Sequence, residues 1–180
     1  MLLPQRSGAR PPASQLVNEQ YAQARQQFEK SIELSRTLDV PRLRVEAYWG
    51  LCRAYGYQGE LDQALQAAQA GIEIANQAGD EWVASLVRLT MGASLTQAAR
   101  YEAAEEWLRL ASLGFRECSD PFSLSATRLW MCMGWYRQED HERLAQAFPE
   151  VLATCRAHGY DYLFTRPTLL GLPEDRKSVV

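Results

Sequence analysis

Apolar residues recur along this chain at the spacing of a helix face, and the same set returns every 40 residues. Tyr21, Leu61, Tyr101 and His141 open four aligned segments. Three residues on stand Ala24, Ala64, Ala104 and Leu144; seven on, Phe28, Ala68, Leu108 and Phe148; ten on, Ser31, Gly71, Ala111 and Val151. These offsets lie on one side of an α-helix, where side chains three and four apart stack above one another. A second set precedes each of the later segments. Leu51, Met91 and Met131 are equivalent, and Tyr55, Leu95 and Trp135 follow one helical turn later. The residue after the first of each pair is small: Cys52, Gly92 or Cys132.

The pattern predicts helices over 16–37, 42–57, 61–78, 81–97, 101–117, 121–138 and 141–157. Turn signals fall between them. Gly79-Asp80 aligns with Ser119-Asp120, and Gly59-Glu60 with Ala99-Arg100. Asp80 and Asp120 stand where a side-chain oxygen can cap a helix N-terminus, and Pro121 suits the first helical position, where its missing N–H costs nothing. No segment alternates with period two, and no Asn-Gly hairpin turn occurs. The expected fold is therefore all-α. Antiparallel helix hairpins stack side by side over 16–158, because one amphipathic helix cannot bury its stripe alone. Residues 1–15 read as a disordered leader and 159–180 as a C-terminal cap segment and tail, interrupted by Pro167, Gly171 and Pro173.

Composition narrows the function. Of 180 residues, 47% are hydrophobic and 23% charged, the balance of a single soluble globular domain. A formal charge of −3 argues against direct nucleic-acid binding, which rests on phosphate neutralisation. No apolar run approaches the roughly 20 residues that span a bilayer. The opening Met1-Leu2-Leu3 is too short for a signal-peptide core. Four cysteines without a Cys-x-x-Cys pair make neither a disulfide framework nor a structural zinc site, and free thiols point to the cytoplasm.

Catalytic chemistry finds little support. The only histidines, His141 and His158, lie at opposite ends of one predicted helix, about 25 Å apart at 1.5 Å per residue. His141 takes the slot of Tyr21 and Tyr101, which suggests packing. Glu102, Glu105 and Glu106, with Asp140 and Glu142, sit near helix N-termini, where negative charge is favourable, and read as a solvated face. No Gly-x-x-x-x-Gly-Lys-Ser/Thr phosphate loop occurs. No catalytic residue, metal or cofactor is expected, and the chain reads as non-enzymatic.

The second unit runs apolar-small-x-x-aromatic, then a turn, then alanine, as Leu51-Cys52, Tyr55, Gly59, Ala64, Ala68 and Gly71; the third carries Leu95 in the aromatic slot, and the fourth departs at Glu139 and Leu144. This resembles the tetratricopeptide repeat, although 40 residues exceed that repeat's usual length of about 34. The resemblance implies a right-handed α-solenoid. The lengthened units, and the ending Gly159-Tyr160-Asp161-Tyr162-Leu163-Phe164-Thr165-Arg166-Pro167-Thr168-Leu169-Leu170-Gly171, are similar to the sensor region of ATP-dependent bacterial transcriptional regulators of the maltose-activator and LuxR-like class. That likeness implies a regulatory module, without the class's ATPase or DNA-binding parts.

In such repeats the groove-facing positions lie on the first helix of each unit. Here they are Trp49, Arg53 and Tyr57, then Leu89, Ala93 and Gln97, then Leu129, Met133 and Arg137. Of these, Trp49, Arg53, Tyr57, Gln97, Met133 and Arg137 are the expected ligand contacts, forming an apolar groove with arginine at both ends. Its expected partner is a protein or peptide carrying a carboxylate, or another domain of the same regulator. Arg88 and Arg128, also 40 apart, are expected to tie neighbouring units. The first predicted helix has no partner before it, so its apolar residues Leu16, Val17, Tyr21, Phe28 and Ile32 give an alternative: a self-assembly scaffold that forms a homodimer through this helix.

Overall fold

Every helix among the described residues ends the same way, and that ending spaces the fold. The computed structural model describes residues 13–160, with side chains from Asn18 onward. Among them are seven helices and no strand: α1 (Ala13–Thr37), α2 (Pro41–Gln58), α3 (Leu61–Gln77), α4 (Glu81–Gln97), α5 (Tyr101–Glu117), α6 (Pro121–Arg137) and α7 (His141–Ala157). After each helix one residue takes a left-handed conformation: Asp39, Gly59, Gly79, Ala99, Ser119, Glu139 and Gly159, with φ between 50° and 77°. The next N–H then reaches back to a carbonyl of the last turn, as Glu60 to Tyr55 at 3.0 Å and Asp140 to Trp135 at 2.9 Å. This Schellman closure satisfies carbonyls that a helix end leaves free. Only three of the seven positions are glycine, so four residues hold a backbone conformation that L side chains disfavour.

The next helix restarts at once. Asp80, Asp120 and Asp140 each accept the backbone N–H three residues on, from Val83 (3.1 Å), Ser123 (3.0 Å) and Arg143 (3.1 Å). Pro41 and Pro121 occupy the first turns of α2 and α6. The expected caps Asp80 and Asp120 are thus in place. The first helix starts at Ala13 rather than at 16, and the side chains of Leu16 and Val17 lie outside the described residues. Of the expected cap and tail, only Gly159 and Tyr160 are described; Tyr160 packs edge-on against Phe122 with ring centroids 5.2 Å apart. Within α7, Pro149 lies on the exposed side, so the helix tolerates one absent N–H.

Each helix packs extensively on the next, and α2, α4 and α6 also pack on one another in a row. Small residues permit the close approaches. Cys52, Ala64, Ala68 and Ala75 are completely buried where α2 and α3 meet their neighbours. At Gly92 a Cβ would lie 2.6 Å from Leu108 Cγ and 3.3 Å from the Leu108 backbone nitrogen, so α4 and α5 touch where only glycine fits. Gly50 likewise makes room for the Phe28 ring. Phe115, Met91, Leu108 and Val87 fill the middle of the molecule, each contributing about 1.5–3 kcal/mol of burial. Ala64 and Ala104 share a fully buried environment, whereas Ala24 and Leu144 are half-buried, since α1 packs extensively only on α2 and α7 only on α6. Among the described residues, no helix is long and apolar enough to cross a membrane.

Candidate binding clefts

The helix row α2–α4–α6 is laced by two indole N–H groups. Trp49 on α2 donates to Thr90 Oγ1 on α4 at 2.7 Å, and Trp82 on α4 donates to Asp120 Oδ2 at the start of α6 at 2.7 Å. Tryptophan suits this role because its ring packs while its one donor finds an acceptor. Trp49 also carries Arg53, whose guanidinium lies 5.4 Å from the indole centroid, one turn along α2. Among the described residues no carboxylate pairs with Arg53.

These residues border a cleft of about 510 Å3 between α1, α2 and α4. Phe28, Trp49 and Trp82 form aromatic walls, Ala47 and Gly50 a shallow floor, and Arg53 one rim. At the other rim Arg42 pairs with Glu46 at 3.3 Å. Such a mixture of apolar walls and a few polar groups is the usual makeup of a binding cleft.

The groove expected from the sequence is only partly assembled. Trp49 and Arg53 reach the cleft. Tyr57 is exposed but turns to stack on Tyr21, with ring centroids 5.7 Å apart, and Gln97 is an exposed residue at the end of α4. Arg137 is exposed at the end of α6, where Nη1 approaches the Thr96 carbonyl at 3.4 Å. Met133 must be removed from the site: it is 2% exposed and packs with Leu108 and Trp130 against Leu89 and Ala93. Leu129 is buried as well, against Val151 and Cys155. The physical cause is the seating of α6 on α4 and α7, which turns the Leu129–Met133 stripe into the interior. Phe28, Trp82 and Arg42 were not among the expected contacts. A large aromatic in the first turn of a helix, as Trp82 is, was their one available signal.

Other expected roles shift. His141 is exposed rather than packed, and His158 caps α7, its Nδ1 2.9 Å from the Thr154 carbonyl. Glu105 is not simply solvated: it receives Arg143 across α5 and α7 at 2.8 Å. Arg143 also holds Asp140 at 2.5 Å, and that contact first, then the backbone N–H of Arg143, keeps the Asp140 carboxyl below the usual range. Arg88 pairs within its own helix, with Glu81, while Arg128 ties α6 to α7 through Glu150 at 2.8 Å. Among the described residues no cluster of His, Cys, Asp or Glu could hold a metal ion. All four thiols are free, and burial pushes Cys52 up to about 12 and Cys132 to about 11, so both stay protonated at neutral pH. No protein-family model matches the chain, and no curated protein is similar to it.

Proposed function

We propose that the chain is a tetratricopeptide-like α-solenoid with a 40-residue, two-helix unit, and that it works as a non-enzymatic interaction module. Helix starts at 41, 61, 81, 101, 121 and 141 support the repeat. The mutual packing of α2, α4 and α6 supports a curved array with that row on its inner side. The likeness in sequence suggests a right-handed twist, and a setting within a cytoplasmic bacterial transcriptional regulator. The cleft between α1, α2 and α4 takes an apolar side chain of a peptide, and Arg53 takes a neighbouring carboxylate.

The observation that carries this reading is Arg53 itself: a guanidinium stacked on Trp49, at the rim of an aromatic cleft, with no carboxylate paired to it among the described residues. Arginine so placed presents a planar fork to an incoming carboxylate. Binding there shifts the angle between the first and second hairpins, because the cleft spans both. Peptides selected by display against the chain should carry an acidic group beside a large apolar residue. Arg53→Ala should weaken their binding about ten-fold, and Arg137→Ala, farther along the row, less. Equal binding by wild type and Arg53→Ala would overturn the assignment.

One observation favours self-assembly through the first helix as a second reading. Leu34 on α1 and Leu38 in the turn just after it are 60% and 66% exposed, and Val40 and Leu43 extend the same apolar corner. Light scattering checks it: this reading requires a dimer that Leu34→Glu with Leu38→Glu converts to monomer, and a monomeric wild type rejects it.

A further inference from the structure

Two clefts on the α3–α5–α7 side occupy positions 40 residues apart, and their charge is opposite. The first, about 410 Å3 between α3, α4 and α5, sets Arg88 against Glu73 and Glu106. The second, about 280 Å3 between α5, α6 and α7, sets Arg109, Arg116 and Arg128 against Glu150 alone. Gln69, Glu73 and Asn76 in the first are replaced by Arg109, Leu113 and Arg116 in the second. One arginine facing two glutamates becomes three arginines facing one, in a chain whose net charge is −3.

The two equivalent arginines also differ in what holds them. Arg88 is satisfied within α4 by Glu81, which in turn accepts Ser85 Oγ at 3.1 Å. Forty residues on from Glu81 stands Pro121, so Arg128 has no such partner on its own helix. It turns instead into the cleft and meets Glu150 of α7 at 2.8 Å. Glu150 is 69% exposed on its side chain and leaves at little cost. Arg116 has no carboxylate partner among the described residues, and Arg109 pairs only with the exposed Glu106 of its own helix. Below these guanidinium groups lie Met131, Trp135 and Val151.

We propose that the α5–α6–α7 cleft binds a small carboxylate with a flat apolar body. Glu150 marks where the carboxylate sits, on Arg128, and Arg116 supplies the second fork. The apolar floor takes the body. A volume near the lower limit of ligand pockets, about 300 Å3, fits one or two fused rings rather than a chain segment. This site is separate from the peptide cleft and does not depend on that reading.

The test is calorimetric titration of the full chain with 2-naphthoate, against the uncharged 2-naphthamide. Saturable one-site binding of the acid is expected, with the amide about ten-fold weaker or more. Arg116→Gln and Arg128→Gln should each weaken the acid about five-fold or more. Glu150→Gln frees Arg128 and should tighten it, by about two-fold or more. Arg116 is exposed, so its replacement keeps the fold and decides the matter even where Arg128→Gln does not fold. No saturation up to about 5 mM, equal binding of acid and amide, or unaltered affinity in Arg116→Gln would overturn the proposal. So would a loss of affinity in Arg53→Ala, which would place the ligand in the other cleft.

Discussion

Trp82 on α4 donates its indole N–H to Oδ2 of Asp120 at 2.7 Å, while Oδ1 of the same carboxylate caps α6 through Ser123 N–H at 3.0 Å. One side chain thus starts a helix and fastens it to the helix before it in the row. Burial works to raise the Asp120 carboxyl, but the Ser123 and Trp82 hydrogen bonds outweigh it and hold it below its ordinary value.

Asp120→Ala should therefore cost about 1–2 kcal/mol at neutral pH, the value of a lost cap, with the indole left unpaired in addition. The folded carboxyl titrates below the unfolded one, near 3.9, so its contribution is complete above that pH and fades as pH falls through the folded value. Urea midpoints should differ between wild type and variant at pH 7 and converge below about pH 4. A difference that does not narrow at all as the pH falls below about 4 would deny the carboxylate its role.

Gly92 meets Leu108 where α4 and α5 cross, and a Cβ would stand 2.6 Å from Leu108 Cγ. Gly92→Ala should destabilise by about 1–3 kcal/mol through overpacking, despite alanine's better helix propensity. Leu108→Ala alone should cost about 2–5 kcal/mol by opening a cavity. The double variant should lose clearly less than the two losses added, since the shortened Leu108 gives the new methyl room. Strict additivity in chemical denaturation would refute the contact.

Ala99 sits at φ 58°, closing α4 in the conformation that glycine adopts freely at Gly59 and Gly79. Ala99→Gly should stabilise the chain, by about 0.5–1 kcal/mol, the relief of strain exceeding the added freedom of the unfolded chain. The same change at Ala98, which lies at φ −83°, should not stabilise. Thermal melts of the two variants side by side test the turn.

The thiols should sort by burial. Cys118 is exposed, whereas Cys52, Cys132 and Cys155 are buried. Burial first, then nearby carboxylates led by Glu81, raise the Cys118 thiol above its ordinary value, so its alkylation should be slow at pH 7 and accelerate at higher pH. Mass spectrometry after brief iodoacetamide treatment should find one label on the native chain and four in urea. A second fast label on native protein would mean that a helix pair opens.

The helix order was legible in the sequence because its signals are local. An aspartate three residues before an N–H that needs a partner, a proline in a first turn and a run of apolar residues at 3, 7 and 10 act within one helix. Asp80, Asp120 and Pro121 did what their neighbours in sequence demanded. The left-handed turns were marked plainly at Gly59 and Gly79, and only by alignment at Ala99 and Ser119.

What the clefts contain was decided by how helices cross. Arg53 and Met133 stand 80 residues apart at aligned positions of the sequence, yet Met133 is buried and Arg53 borders open space. The difference is the helix lying against each: α6 presses its stripe onto Leu89 and Ala93, while α1 and α4 leave a gap beside Trp49 that Phe28 and Trp82 line. Pairings such as Trp82 with Asp120, or Arg143 with Glu105, join residues 38 apart, and no local spacing announces them. The sequence by itself determined seven helices and their small-residue contacts, because helix propensity, capping and periodicity act over a few residues. Only the tertiary structure decided which side chains face solvent together, because that depends on the angle and offset at which each helix meets the next.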